Sequence, residues 1–265
     1  MKELFLIASM LLIPFLSYSA YGQDKPYQAG EKLEYLVHYG VINGGIATLE
    51  MKKDTFAGKE VYHSIFIGQT TGLADALFKV MDIFEAYIDP GTELPVKSIR
   101  NVSEGRYKRF NSVLFDRVSR KDSAVLMSNL TGKHVTQMDI HDVLSCFYFF
   151  RKSIMAKNPI LKQGEMITIM TWFTDELYPI RLRYAGQEEV KTKVGKIKCY
   201  KFNPVTESGR LFKDENGATF WFSADKNYLP VKARFDIFVG SFIVDLSSYE
   251  GLVNPLNIKR TDKQN

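Results

Sequence analysis

The residues with the most chemistry to offer here are four histidines, two cysteines and a scatter of carboxylates. The histidines are His38, His63, His134 and His141. No two stand at H-x-x-x-H or H-E-x-x-H spacing, and neither Cys146 nor Cys199 falls at metal-ligand distance along the chain from any of them. The sequence therefore assigns no metal site and calls for no cofactor. His141-Asp142 sets an acid beside an imidazole, but in the first turn of a helix that acid serves the helix dipole. No G-x-S-x-G elbow occurs, and Ser208-Gly209 lacks its flanks. "GVINGG" (Gly40 to Gly45) lacks the helix and lysine that a phosphate loop needs, and reads as a hairpin turn in which Asn43-Gly44 supplies positive φ. Asp and Glu are numerous enough to form a glycosidase pair, whose separation a sequence does not reveal. No catalytic residue is assigned, and an envelope hydrolase acting on glycan or lipid stays open as an alternative.

Aromatic residues suggest binding more than reaction. In "KEVYHSIFIG", Tyr62 and Phe66 oppose Val61, His63, Ile65 and Ile67 across one strand. Strands apolar on both faces are covered by a helix, by a second sheet, or by a ligand in a barrel lumen. Tyr62, His63, Phe66, Trp172 and Trp221 are the candidate lining of such a lumen, with a lipid or other apolar small molecule as its partner. Plain core packing is the competing use of the same faces. A scaffold that binds other envelope proteins through an exposed sheet edge is a third reading.

The elements that would position these residues are mostly strands. Aromatic and β-branched residues alternate with polar ones, with turn signals every eight to twelve residues, as in all-β sandwiches and barrels. From Leu229 to Ile237, Leu229, Val231, Ala233, Phe235 and Ile237 share one face, and Lys232, Arg234 and Asp236 the other. Phe242, Val244 and Leu246 continue the pattern. Two segments have helical spacing instead. Leu73 to Asp82 places Leu73, Leu77 and Val80 on one side, as a short helix packed over the sheet. Ile140 to Ala156 carries the stripe Val143, Leu144, Phe147, Phe150 and Ile154, with Asp139 as its cap. The expected fold is all-β, a curved antiparallel sheet or barrel-like structure with two covering helices.

"LPVK" occurs twice, at Leu94–Lys97 and at Leu229–Lys232. Each copy follows an aromatic-rich strand and an Asp. "GEKLEY" at Gly30 and "GEMITI" at Gly164, and "GKEVYH" at Gly58 and "GKIKCY" at Gly195, recur in the same order at nearly constant spacing. The expected arrangement is one β-rich domain over 23–253, with pseudo-halves at about 30–138 and 164–250. A helix at about 140–156 joins them, and a polar tail follows over 254–265.

The N-terminus reads as an export leader. Lys2 precedes an apolar run from Leu4 to Leu16, broken by Pro14, and Ala20-Tyr21-Gly22 fits signal-peptidase cleavage. That run is shorter than the roughly 20 residues of a membrane span, and no later stretch is long and apolar enough for one, so no integral span is expected after cleavage. The formal charge of +5 is modest and mixed with acids, and nucleic acid is not an expected partner. Lys191, Lys193, Lys196 and Lys198 read as a solvated strand face. In an oxidising compartment Cys146 and Cys199 are compatible with a disulfide, and equally with two buried thiols.

"FKVMDIFEAYID" followed by "LPV", the helix "DVLSCFYFFR" and the closing "FWFSADKNYLPVKARFDIFVGSF" together resemble the exported bacterial family called domain of unknown function 3108, from about Gly30 to Gly251. The resemblance implies a β-rich fold and the periplasm or outer envelope of a Gram-negative bacterium. It brings no catalytic residues.

Overall fold

Alternating side chains become strands wherever one face can be buried, and here nearly every segment does so. The computed structural model describes residues 25–156, 160–205, 217–236 and 240–259. The leader, Ser208-Gly209 and Ile237 lie outside the described residues. The first half holds β1 (Lys32–Tyr39), β2 (Ile42–Phe56), β3 (Lys59–Thr70), β4 (Met81–Ile88), β5 (Pro95–Glu104), β6 (Tyr107–Asp116), β7 (Ala124–Ser128) and β8 (Gly132–Thr136). The second holds β9 (Met166–Phe173), β10 (Glu176–Lys191), β11 (Lys196–Pro204), β12 (Ala218–Ser223), β13 (Pro230–Asp236), β14 (Ser241–Glu250) and β15 (Ile258–Lys259).

All of them belong to one antiparallel sheet, ordered β8 to β1, then β14 down to β9, with β15 added beside β11. The seam between the halves is the β1–β14 pairing. The sheet curls but does not close, because its edge strands β8 and β9 do not pair with each other. The segment between β8 and the helix that follows reaches β9 through a parallel bridge between His141 and Thr171, in which the Trp172 amide donates to the His141 carbonyl at 2.7 Å. Trp172 packs against Val113, Phe115 and Leu126 of β6 and β7, while Ile167 and Ile169, on the other side of β9, join a cluster with Phe150 and Phe202.

The pseudo-repeat is visible in hydrogen bonds. Gly30 and Gly164 both have positive φ and donate to Met51 and Tyr184, and those two residues return bonds to the Glu31 and Glu165 carbonyls. Each LPVK proline opens the fifth strand of its half, where its missing N–H is tolerated. In both hairpins a positive-φ residue, Glu93 or Tyr228, precedes the leucine, and an Asp carboxylate, Asp89 or Asp225, accepts backbone amides within the turn. A register shift lies opposite each proline. Burial differs between the copies. Leu229 and Val231 are fully buried, whereas Leu94 and Val96 are half-buried beside a buried Pro95.

The glycine-rich turn departs from expectation. Gly40-Val41 makes the turn, with φ of 57° at Gly40, and Asn43, Gly44 and Gly45 already lie in β2. Gly45 is there for close approach, since a Cβ would lie 2.5 Å from the Gln69 carbonyl oxygen.

Both helices form, shorter than the spacing predicts. α1 spans only Gly72–Leu77, and Met81-Asp82 already opens β4. It buries none of its residues, leaving Leu73 and Leu77 72% and 79% exposed. It is tied to β2 by the Thr71 amide on the Gly44 carbonyl, with Ala74 over Gly44, and Leu73 and Leu77 stay in solvent. α2 spans Val143–Phe149 and continues as a π-helical turn over Phe150–Met155. Its cap is Asp142 rather than Asp139. The Asp142 carboxylate accepts the Leu144 and Ser145 amides, and the Ser145 hydroxyl accepts the Asp142 amide, a reciprocal capping box. Residues just before Asp142 are held elsewhere. Arg117 donates to the Met138 and Ile140 carbonyls, and His141 is bonded to β9.

The far end of this helix is pinned between the two LPVK hairpins. Arg151, fully buried, donates to both oxygens of Glu31 at 2.5 and 2.8 Å, to the Pro26 carbonyl and to the Asn227 carbonyl of the second hairpin. Lys152 and Ser153 bind Glu93 of the first. Residues after Gly251 also pack down, with Leu252, Leu256 and Ile258 against the core.

Candidate functional site

Register across the first half sets one wall of a cavity. Leu49, Phe66, Phe84, Arg100 and Asn111 are successive cross-strand partners on β2 to β6. Directly opposed residues point to the same side of a sheet, so these five form a transverse row facing α2. The row is apolar for three strands and polar for two. In the second half Phe220, Ala233 and Val244 form a matching apolar row, which reaches Val37 on β1. Leu144, Phe147 and Phe150 of the helix, with Ile169, Ile180 and Leu182, complete the enclosure.

The half-open space they line measures about 420 Å³, within the range of small-molecule sites. Its lining is almost all carbon. The few polar tips among the lining residues are engaged elsewhere. The Tyr35 hydroxyl donates to the Pro230 carbonyl at 3.0 Å, the Trp221 indole donates to Glu188, and Lys232 is paired with Asp245 at 2.8 Å. Burial pushes the Cys146 thiol well above its usual range and the Cys199 thiol up to about 12, so neither is a nucleophile at neutral pH. Both are free thiols lodged in separate core clusters, so of the two arrangements open to them the protein adopts the buried thiols and not the disulfide. Among the described residues no carboxylate lines this cavity.

A second, smaller recess of about 30 Å³ adjoins it and shares Phe84, Val143 and Leu144 with it. Ser98, Arg100, Asn111, Asp142, Trp172 and Phe173 are among its other walls. Burial raises the Asp142 carboxyl, but its oxygens are occupied by the cap amides. Among the described residues no three His, Cys, Asp or Glu side chains are grouped so as to hold a metal ion. None of their helices is long and apolar enough to cross a membrane.

The five candidate lumen residues divide. Phe66 and Trp221 lie at the cavity wall. Tyr62 belongs to the same side of β3 as Phe66, but packs lower, edge-on to Tyr27 at 6.4 Å. His63 is on the other side of β3, between Asp54 at 3.1 Å and Glu85 at 2.8 Å, stacked on Tyr87. Trp172 lines the recess rather than the main cavity. Sequence reading missed Phe84, Arg100, Phe220 and Phe235. Phe235 was visible as a member of an apolar face. Arg100 carried no signal, because a lone arginine on a strand reads as solvated.

The model of the DUF3108 family, described as a protein of unknown function, matches residues 34–247. No curated protein matches the chain. Among solved structures, a β-barrel-like protein of the DUF1849 family from Brucella abortus aligns with a TM-score of 0.55 at 10% identity, over 86% of this chain and 99% of that one. A DUF1089 family protein from Pseudomonas aeruginosa aligns with a TM-score of 0.32 at 11% identity, over 84% of this chain and 92% of that one. The first of these likenesses is one of fold alone.

Proposed function

This chain belongs to the DUF3108 family, and we propose that it binds an apolar or amphipathic envelope molecule inside its curved sheet without transforming it. The carbon-lined cavity of about 420 Å³ carries this reading. Such a volume left empty would forfeit the contacts that close packing supplies, and an apolar ligand restores them. Among the described residues the lining holds no pair of carboxylates and no activated nucleophile, which weighs against hydrolysis at this place. The leader-like segment at 1–22 supports export, with the periplasm or outer envelope as the working compartment.

Native mass spectrometry of the protein purified from the periplasmic fraction of its own host is the direct test. A co-purified lipid is expected, lost in an Ala233→Trp variant that fills the cavity while remaining folded. An empty wild-type protein that also binds no fatty-chain fluorescent probe would overturn the reading.

A further inference from the structure

The transverse row that forms the cavity wall turns from apolar to polar at a cation. Arg100 lies beside Phe84 in register, and its guanidinium is held between two aromatic faces, 5.5 Å from the Phe84 ring centre and 4.6 Å from that of Phe173. Among the described residues it has no hydrogen-bond or ion-pair partner, and its Nε is buried without one. The neighbouring Arg109 shares the unpartnered Nε but differs in its charge balance, since its guanidinium is matched by the buried carboxylate of Asp175 at 3.6 Å. Asp175 also accepts from Asn111 at 3.3 Å. Asp82 and Glu104 lie within electrostatic reach of Arg100 but do not touch it, and burial followed by the adjacent Asp82 charge pushes the Glu104 carboxyl up. A half-buried guanidinium with unused donors, lining a recess that adjoins an apolar cavity, has the chemistry to receive a planar anion.

We propose that the ligand is a single-chain amphiphilic acid, with its hydrocarbon chain in the apolar cavity and its carboxylate on Arg100 in the recess. This rests on the cavity-binding reading above and names the ligand class. Two sizes favour it. The recess, at about 30 Å³, has room for a carboxylate and little more, and the cavity is at the lower end of the roughly 300–1,000 Å³ of small-molecule sites. The stacked arginine supplies specificity, because a ligand without an acid leaves its donors unpaired and gains nothing from the recess. An anion without a chain forgoes the larger part of the contact.

Titration calorimetry with oleate and with oleyl alcohol, on wild type and on Arg100→Gln, tests this directly. Oleate is expected to bind wild type at least about tenfold more tightly than the alcohol, as a charge-assisted bond to a guanidinium allows. Arg100→Gln should abolish that preference, and Arg100→Lys should restore part of it. Equal affinities in wild type would overturn the acid assignment while leaving the cavity reading intact, a comparison that needs no variant to fold. Failure of both probes to bind would overturn both. Tighter binding of a monoacyl phosphate than of oleate would overturn the carboxylate in favour of a phosphate headgroup.

Discussion

The two helices carry the same kind of apolar spacing and meet opposite fates. α1 leaves Leu73 and Leu77 in solvent, whereas α2 and its π-helical turn bury Tyr148, Phe150, Arg151 and Met155 almost completely. Spacing states that a helix has a face. It does not state that anything lies opposite that face. α2 lies along the concave side of a sheet that supplies partners from both halves, and it is fixed at each end by polar groups, the Asp142 cap and the Arg151–Glu31 pair. α1 is a turn-length connection between β3 and β4 past the edge of the core, with Thr70 and Val80 bonded beneath it.

Removing the deepest anchor should show the contrast at its largest. Arg151→Met strands the Glu31 carboxylate in the core and is expected to cost about 3–5 kcal/mol, read from urea unfolding. Replacing both partners, with Glu31→Leu added, should recover much of that loss, because a well-packed apolar pair is often neutral relative to a buried ion pair. No recovery would mean that the remaining bonds of Arg151, to Pro26 and Asn227, hold the helix by themselves.

A second effect concerns the other end of α2. Burial, and then the Arg117 cation, lower the pKa of His141 to about 4. Its stabilising contribution is therefore fully present above the unfolded value of about 6.5 and is lost as pH falls from there through 4. Stability should drop between pH 7 and pH 4 by about 3 kcal/mol more in wild type than in His141→Gln, which has no proton to gain. Urea midpoints across that range measure the difference. Parallel pH profiles for the two proteins would show that His141 protonates in the folded state without strain.

The smallest effect is expected at α1. Leu73→Ser and Leu77→Ser should change unfolding free energy by no more than about 0.5 kcal/mol, as exposed positions do. A larger loss would place α1 against a surface it does not touch in the isolated chain.

Much of the architecture is legible in the residue pattern. Alternation marks the strands, Asp and Pro mark both LPVK turns, and the repeated Gly-Glu openings reappear as the same pair of hydrogen bonds at Met51 and Tyr184. The reason is that these features are local. A proline without an N–H, or a glycine at positive φ, constrains its own backbone whatever surrounds it. The site was legible only in part. Alternation separates Tyr62 and Phe66 from His63 and Ile65 but does not say which set faces the lumen, and His63 ends between Asp54 and Glu85 on the other side. Register across five strands places Arg100 beside Phe84, and the curl of the sheet brings Phe173 to its other face. Both depend on contacts between residues far apart in the chain, which no short stretch encodes. The sequence by itself determined a repeated, strand-rich chain with a helix at its middle. Only the tertiary structure decided that an arginine buried at 151 anchors that helix, and that an arginine at 100, unpaired among the described residues, stands at the polar end of an apolar cavity.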